Sequence, residues 1–231
     1  MAKNDFMMAK NDFMTESAEN YEQKCLCILV LDVSGSMRGE PIRELNNGLR
    51  NFYDEIKNDE TTSQRLEVSI ITFNKFVKTI QEPALVDNFT MPTLTAEGST
   101  ALVDAVYEAI EKVELRKNWY KETGQKYYRP WIILMTDGEP DDGQDVNGLA
   151  QRIWEDTNAK RYVFMSVGVT DANMETLKTI QGGEPLKMEG LKFKQFFQWL
   201  SASMSTIVTH SEGEKVNISP ASYDWMKSFD I

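Results

Sequence analysis

The chain has 231 residues and is 41% hydrophobic, enough for one sizeable core or at most two small ones. Its 25 Lys and Arg against 36 Asp and Glu give a formal charge of −11. That excludes a nucleic-acid binder built on clustered basic residues, and anionic membranes would repel it. No apolar run approaches the roughly 20 residues that cross a bilayer, and the start shows no apolar leader, so a cytoplasmic protein is expected.

The heptad "MAKNDFM" occurs twice in tandem, at Met1–Met7 and Met8–Met14. It is too short and polar for a structural repeat, so residues 1–23 are expected to form a disordered leading segment with a duplicated start. Cys25–Asp32 is an unbroken apolar run that ends in a turn, the pattern of a fully buried strand. Its two cysteines lie two apart and point the same way, which makes them small buried hydrophobes rather than a disulfide. A helix follows from Pro41 to about Lys57, with Ile42, Leu45, Leu49, Phe52 and Ile56 on one side.

Leu66–Phe73 is the next strand, and Phe76–Ile80 can return beside it as an antiparallel edge hairpin. Glu82–Thr95, with two prolines, reads as connection. Ala101–Leu115 is predicted helical, capped by Ser99 or Thr100, and "KETGQKYY" is a loop in which Gly124 stops the helix. Trp131–Met135 is another buried strand. Val146–Ala159 is a helix whose buried side includes Ile153 and Trp154. Strand Tyr162–Val169, helix Asn173–Ile180, a short edge strand Leu186–Met188 and helix Phe193–Val208 complete the series. The aromatics between Trp119 and Trp131 read as packing, and His210 as an exposed residue at a helix end.

Strands that alternate with helices define an α/β fold: a Rossmann-like, doubly wound sandwich with a mostly parallel central sheet, one antiparallel edge strand and helices on both faces. One domain over residues 24–208 is expected, followed by a tail at 209–231.

In such sheets ligands sit beyond the carboxyl ends of the strands, where strand order reverses. The first strand ends in "DVSGSM", giving Asp32, Ser34 and Ser36; a later one gives Asp137; Thr100 opens a helix after "EGS". Two carboxylates and three hydroxyls, without His or thiolate, are a hard-oxygen set suited to Mg²⁺ or Mn²⁺ rather than zinc. Ser34 and Ser36 are two apart in a turn, so both hydroxyls can face one point, and Gly35 lets the backbone bend there. Glu97, Glu139, Asp141 and Asp142 lie in the same loops and read as solvated rim charge.

"DVSGSM", the Thr of "GST", and "TDG" resemble the metal-ion-dependent adhesion site of the von Willebrand factor A (VWA) domain, with all five motif positions filled. The resemblance covers nearly the whole chain after Lys24. It implies Mg²⁺ held by Asp32, Ser34, Ser36, Thr100 and Asp137, with a partner's Glu or Asp completing the coordination. It also implies a last helix, Phe193–Val208, able to shift on ligand binding. "CLCILVLDVSGSM", "PIRELNNGL", "YYRPWIILMTDGEP" and "FKQFFQWLSASM" look like the small bacterial stand-alone VWA proteins of the TerY/YegL type. That subgroup implies an intracellular, non-enzymatic adaptor or scaffold in a tellurite or stress response, working with a Ser/Thr kinase and a PP2C-type phosphatase. Two other readings stand beside it. One is a co-chaperone subunit of an AAA+ ATPase, which would keep the same metal site. The other is a haloacid-dehalogenase-like phosphatase, which needs a second acid where this chain has Ser34.

Overall fold

The computed structural model describes residues 20–137 and 139–210. The duplicated heptad, the tail from Ser211 and Gly138 of the "TDG" turn lie outside the described residues.

The elements in chain order are β1 (Cys25–Asp32), α1 (Glu40–Asn58), α2 (Glu60–Arg65), β2 (Leu66–Phe73), β3 (Val77–Leu85) and α3 (Leu102–Glu122). They continue with β4 (Trp131–Thr136), α4 (Val146–Asn158), β5 (Val163–Gly168), α5 (Met174–Gln181), β6 (Leu186–Lys187) and α6 (Phe193–Thr209). The strands form one sheet in the order β3-β2-β1-β4-β5-β6. Every neighbouring pair is parallel except β2–β3, so the expected sandwich with a single antiparallel edge strand is the fold observed.

The strict period of two in a strand sorts the core into two layers. Cys25, Cys27, Leu29 and Leu31 of β1 face one way and pack with α1 and α6. Leu26, Ile28 and Val30 face the other way and pack with α3, α4 and α5. Both thiols are free and wholly buried, and burial pushes that of Cys25 up to about 12, so neither is a nucleophile near neutral pH. On the first face α1 and α6 approach closely because Gly48 has no side chain. A Cβ there would stand 2.6 Å from the ring of Phe197, which packs at 5.5 Å from Phe52.

Several boundaries differ from the sequence reading. The edge strand starts one residue later and runs on to Leu85, taking in Pro83. An outer strand tolerates a proline because one side of its ladder has no partner to lose. A short helix, α2, was not anticipated; Asp59 caps it by accepting from Thr61 N and Thr62 N. Helix α3 extends to Glu122, two turns beyond the expected end, with Gly124 at φ +71° just past it. Neither Ser99 nor Thr100 caps it: Ala101 holds that position without a side-chain bond, and the Val103 N–H is met by Gln144 Oε1 at 2.7 Å. Trp154, expected in the core, is 61% exposed. Trp119, Tyr120 and Trp131 are buried, as read, and His210 is exposed at the end of α6. Of the leading segment, Glu22 pairs with Arg65 at 2.7 Å.

Candidate functional site

Strand order reverses at β1, which has β2 on one side and β4 on the other, so the crevice lies between the carboxyl ends of β1 and β4. Asp32 is the last residue of β1, and Asp137 follows the last residue of β4. The register that pairs Leu31 with Met135 sets Asp32 beside Thr136, with Asp137 one residue beyond.

Four of the expected residues form one hydrogen-bonded chain. Ser34 and Ser36 hydroxyls are 3.0 Å apart, and Ser36 Oγ donates to Asp137 Oδ1 at 2.8 Å. Asp32 Oδ1 accepts from the Ser34 N–H at 2.8 Å, and Oδ2 accepts from Thr136 Oγ1 at 2.5 Å. Asp32 and Ser34 are buried, Asp137 is half-buried and Ser36 is exposed, so the chain climbs from the core to the surface.

Thr100 joins through its main chain. Its N–H donates to Asp141 Oδ1 at 3.0 Å, and its carbonyl accepts from Asp141 N at 3.0 Å and Gln144 Nε2 at 2.7 Å. The loop before it is laced to the β1 turn by Gly35 N to Gly98 O at 2.9 Å and Glu97 N to Val33 O at 2.8 Å. Gly98 has φ +83°, a conformation that suits glycine, and a Cβ on Gly35 would sit 3.3 Å from the Gly98 carbonyl. Three loops are thus locked together with Thr100 among them. Thr100 itself is 8% exposed.

Some supporting residues were not found in the sequence. Thr136 ends a strand and reads there as an ordinary β-former, yet it holds the inner carboxylate oxygen of Asp32. Asn46 is buried in α1 and pins the long connection by exchanging bonds with Leu94 at 3.0 and 2.7 Å. Asp141 was read as rim charge but clamps Thr100. Only a polar residue set among apolar helix positions, as at Asn46, offered a signal.

The electrostatics are lopsided. Burial pushes the Asp32 carboxyl up to about 6, against the hydrogen bonds from Ser34 and Thr136 and with a further push from Asp137. Asp137 is raised too, again by burial. Among the described residues no Lys or Arg pairs with either acid. Nor does any cluster of three or more His, Cys, Asp and Glu gather there. A metal would therefore rest on two carboxylates and hydroxyl oxygens, the donors of a hard ion.

An open doubly wound sheet with a hard-oxygen crest at its switch point defines the class. A family model described as the von Willebrand factor type A domain matches residues 27–198, and the chain belongs to that family. A comparison with curated protein sequences finds no match. Among solved structures, the chain is similar to the ArnB paralog VWA2 from Sulfolobus acidocaldarius. Identity there is 18%, over 80% of this chain and 45% of that one, with a TM-score of 0.51. The pilus adhesin SpaC from Lactobacillus rhamnosus GG is 11% identical over 84% of this chain and 32% of its own, at a TM-score of 0.63. The vWF domain of the type V pili tip protein Mfa5 from Porphyromonas gingivalis is 10% identical over 85% and 99%, at a TM-score of 0.50. At these identities the likeness is one of fold. The chain spans about half the length of the first structures it matches, 45%, 49% and 46%. No helix among the described residues is long and apolar enough to cross a membrane.

Proposed function

We propose that the protein is a metal-dependent protein-recognition module. Asp32, Ser34, Ser36, Thr100 and Asp137 hold Mg²⁺ (or Mn²⁺), and a Glu or Asp of a partner protein completes the coordination. The observation that carries this reading is the Asp32 carboxylate: 0% exposed, without a cationic partner among the described residues, yet at the foot of an open crest. A buried charge without a counter-charge costs several kcal/mol, roughly, and a divalent ion removes that cost.

The oxygen spacing supports the same ion. Octahedral Mg²⁺, with bonds of about 2.0–2.1 Å, places adjacent ligand oxygens about 2.9 Å apart. The Ser34–Ser36 and Ser36–Asp137 separations, 3.0 and 2.8 Å, match two such edges. A bound ion supplies a concentrated positive charge, and two protein carboxylates leave it able to attract a third.

The reading is non-enzymatic. A dehalogenase-like phosphatase needs a general acid two residues after its first aspartate; Ser34 stands there, 2% exposed and bonded to Ser36. Two proteins that share the fold are named a pilus adhesin and a pili tip protein, which agrees with recognition of other molecules. The TerY/YegL-like motifs extend the proposal to a cytoplasmic adaptor between a Ser/Thr kinase and a PP2C-type phosphatase in a tellurite or stress response.

Titration calorimetry of Mg²⁺ and Mn²⁺ into metal-stripped protein should show one site that Asp32→Ala abolishes. A pull-down from native lysate then compares Mg²⁺ with EDTA, and wild type with Asp32→Ala. A kinase and phosphatase held only by wild type in Mg²⁺ is the expected outcome; an ATPase instead would favour the co-chaperone version. Equal retention in all conditions would remove the metal site from the interface.

A further inference from the structure

The crest carries a feature that metal binding does not use. Phe76, at the tip of the β2–β3 hairpin, is 61% exposed. Single exposed apolar residues are ordinary, so placement decides what this one means. Phe73 lies beside Asp32 in register, and the Val33 N–H donates to the Phe73 carbonyl at 2.8 Å. The next carbonyl, of Asn74, accepts from Ala101 N at 2.7 Å, one residue from Thr100. A Cβ on Gly98 would stand 3.5 Å from Lys75 N and 3.6 Å from the Asn74 Cβ. The hairpin tip and the Thr100 loop therefore form one continuous wall of the crest.

The tip is also closed by its own hydrogen bonds. Asn74 Oδ1 accepts from Phe76 N at 2.9 Å, and Asn74 N donates to the Phe76 carbonyl at 3.1 Å. A ring on a fixed turn loses little conformational entropy when it is covered. Lys75 Nζ lies 5.8 Å from the ring centre and places a positive charge there on a chain of formal charge −11. That charge complements an approaching carboxylate.

We propose that Phe76, with Lys75 beside it, is a specificity anchor of the recognition surface. It selects, among acid-bearing partners, segments with an aromatic or branched apolar residue next to the coordinating Asp or Glu. The proposal rests on the metal-dependent recognition inferred above. A metal–carboxylate contact is the same for every Asp or Glu, so discrimination has to come from neighbouring contacts. Rigid aromatic anchors are the side chains that dominate such interfaces.

The test uses the full chain and a displayed peptide library with one fixed central Asp or Glu and randomised flanks, selected in Mg²⁺ and in EDTA. Wild type should enrich apolar residues beside the acid, in Mg²⁺ only. Phe76→Ser should lower affinity for the enriched peptide about tenfold. For an acid peptide with Gly/Ser flanks the change should stay under about twofold, and the thermal midpoint should hold. Ile80→Ser, 37% exposed further along the same strand, is the control and should leave both affinities unchanged. Selection of the acid without an apolar neighbour would overturn this proposal alone, as would equal losses from Phe76→Ser and Ile80→Ser. No Mg²⁺-dependent selection by wild type would overturn the recognition reading and this proposal with it.

Discussion

Two buried acids sit at opposite poles of the sheet, and the chain treats them differently. Glu67, near the amino end of β2, is 2% exposed; Asp32, at the carboxyl end of β1, is 0% exposed. Arg116 of α3 grips Glu67 with two bonds, of 2.8 and 2.7 Å, and Tyr120 donates to it at 2.5 Å. The guanidinium lies 3.9 Å from the Trp119 ring centre and is itself 2% exposed. That pole is closed: its charge is neutralised from within. Among the described residues Asp32 receives neutral donors alone, Ser34 N–H and Thr136 Oγ1. The first arrangement is structural, because no group remains to engage anything else. The second has no counter-charge among the described residues, and its hydrogen-bonded chain leads through Ser34 and Ser36 to the surface.

The largest expected effect comes from opening the closed pole. Arg116→Met leaves Glu67 buried without a counter-charge and should cost about 3–5 kcal/mol, read by urea unfolding. Adding Glu67→Gln to that variant should recover much of the loss. If the single variant is as stable as wild type, the two poles do not differ as described.

Next is the open pole without metal. The folded Asp32 carboxyl lies near 6, above its ordinary 3.8, so the folded protein holds the extra proton between those values. Wild-type stability in EDTA should therefore fall as pH rises from about 4 to 6, and the penalty should be fully present above 6. Asp32→Asn removes it and should stabilise the metal-free protein at neutral pH by about 1–3 kcal/mol. Mg²⁺ should then raise the melting temperature of wild type but not of the variant. A destabilised Asp32→Asn protein in EDTA would mean that the charge is already balanced.

Thr136→Val tests the inner support. Losing one buried donor should cost about 1 kcal/mol and push the Asp32 carboxyl higher still, so Mg²⁺ affinity should drop several-fold by calorimetry. Unchanged affinity would show that Asp32 needs no orienting partner. The smallest stability effect is expected at Thr100→Ala, within about 0.5 kcal/mol, because the main chain of Thr100 makes the ties to Asp141 and Gln144. Its effect should appear in partner binding, and equal affinity with wild type in excess Mg²⁺ would remove its hydroxyl from the site.

The legibility of the sequence divides along the same lines. β1 and β2 have the bounds that their sequences suggested, because central strands covered on both faces are mostly apolar, and the polar residues that β2 does bury, Glu67 and Ser69, meet Arg116 and the Gln81 carbonyl. Asp, Ser and Gly after a buried strand also read as turn residues; the structure joins Asp32, Ser34, Ser36 and Asp137 in one hydrogen-bonded chain. Trp154 misled: it sits one residue past Ile153, on the edge of the α4 stripe, and a helical period alone does not say how wide the covering layer is. The cap of α3 misled for a related reason. Gln144 meets the Val103 N–H from 41 residues away, a partner that local capping rules cannot see.

The sequence by itself determined the α/β alternation and the central strands, since each shows as a pattern within a few residues along the chain. Only the tertiary structure decided which charges are answered. That Glu67 meets Arg116, 49 residues on, while Asp32 meets no cation among the described residues, depends on which loops and helices reach the two ends of the sheet. Charge compensation acts through space over a few ångströms, and the chain distance between partners places no limit on it.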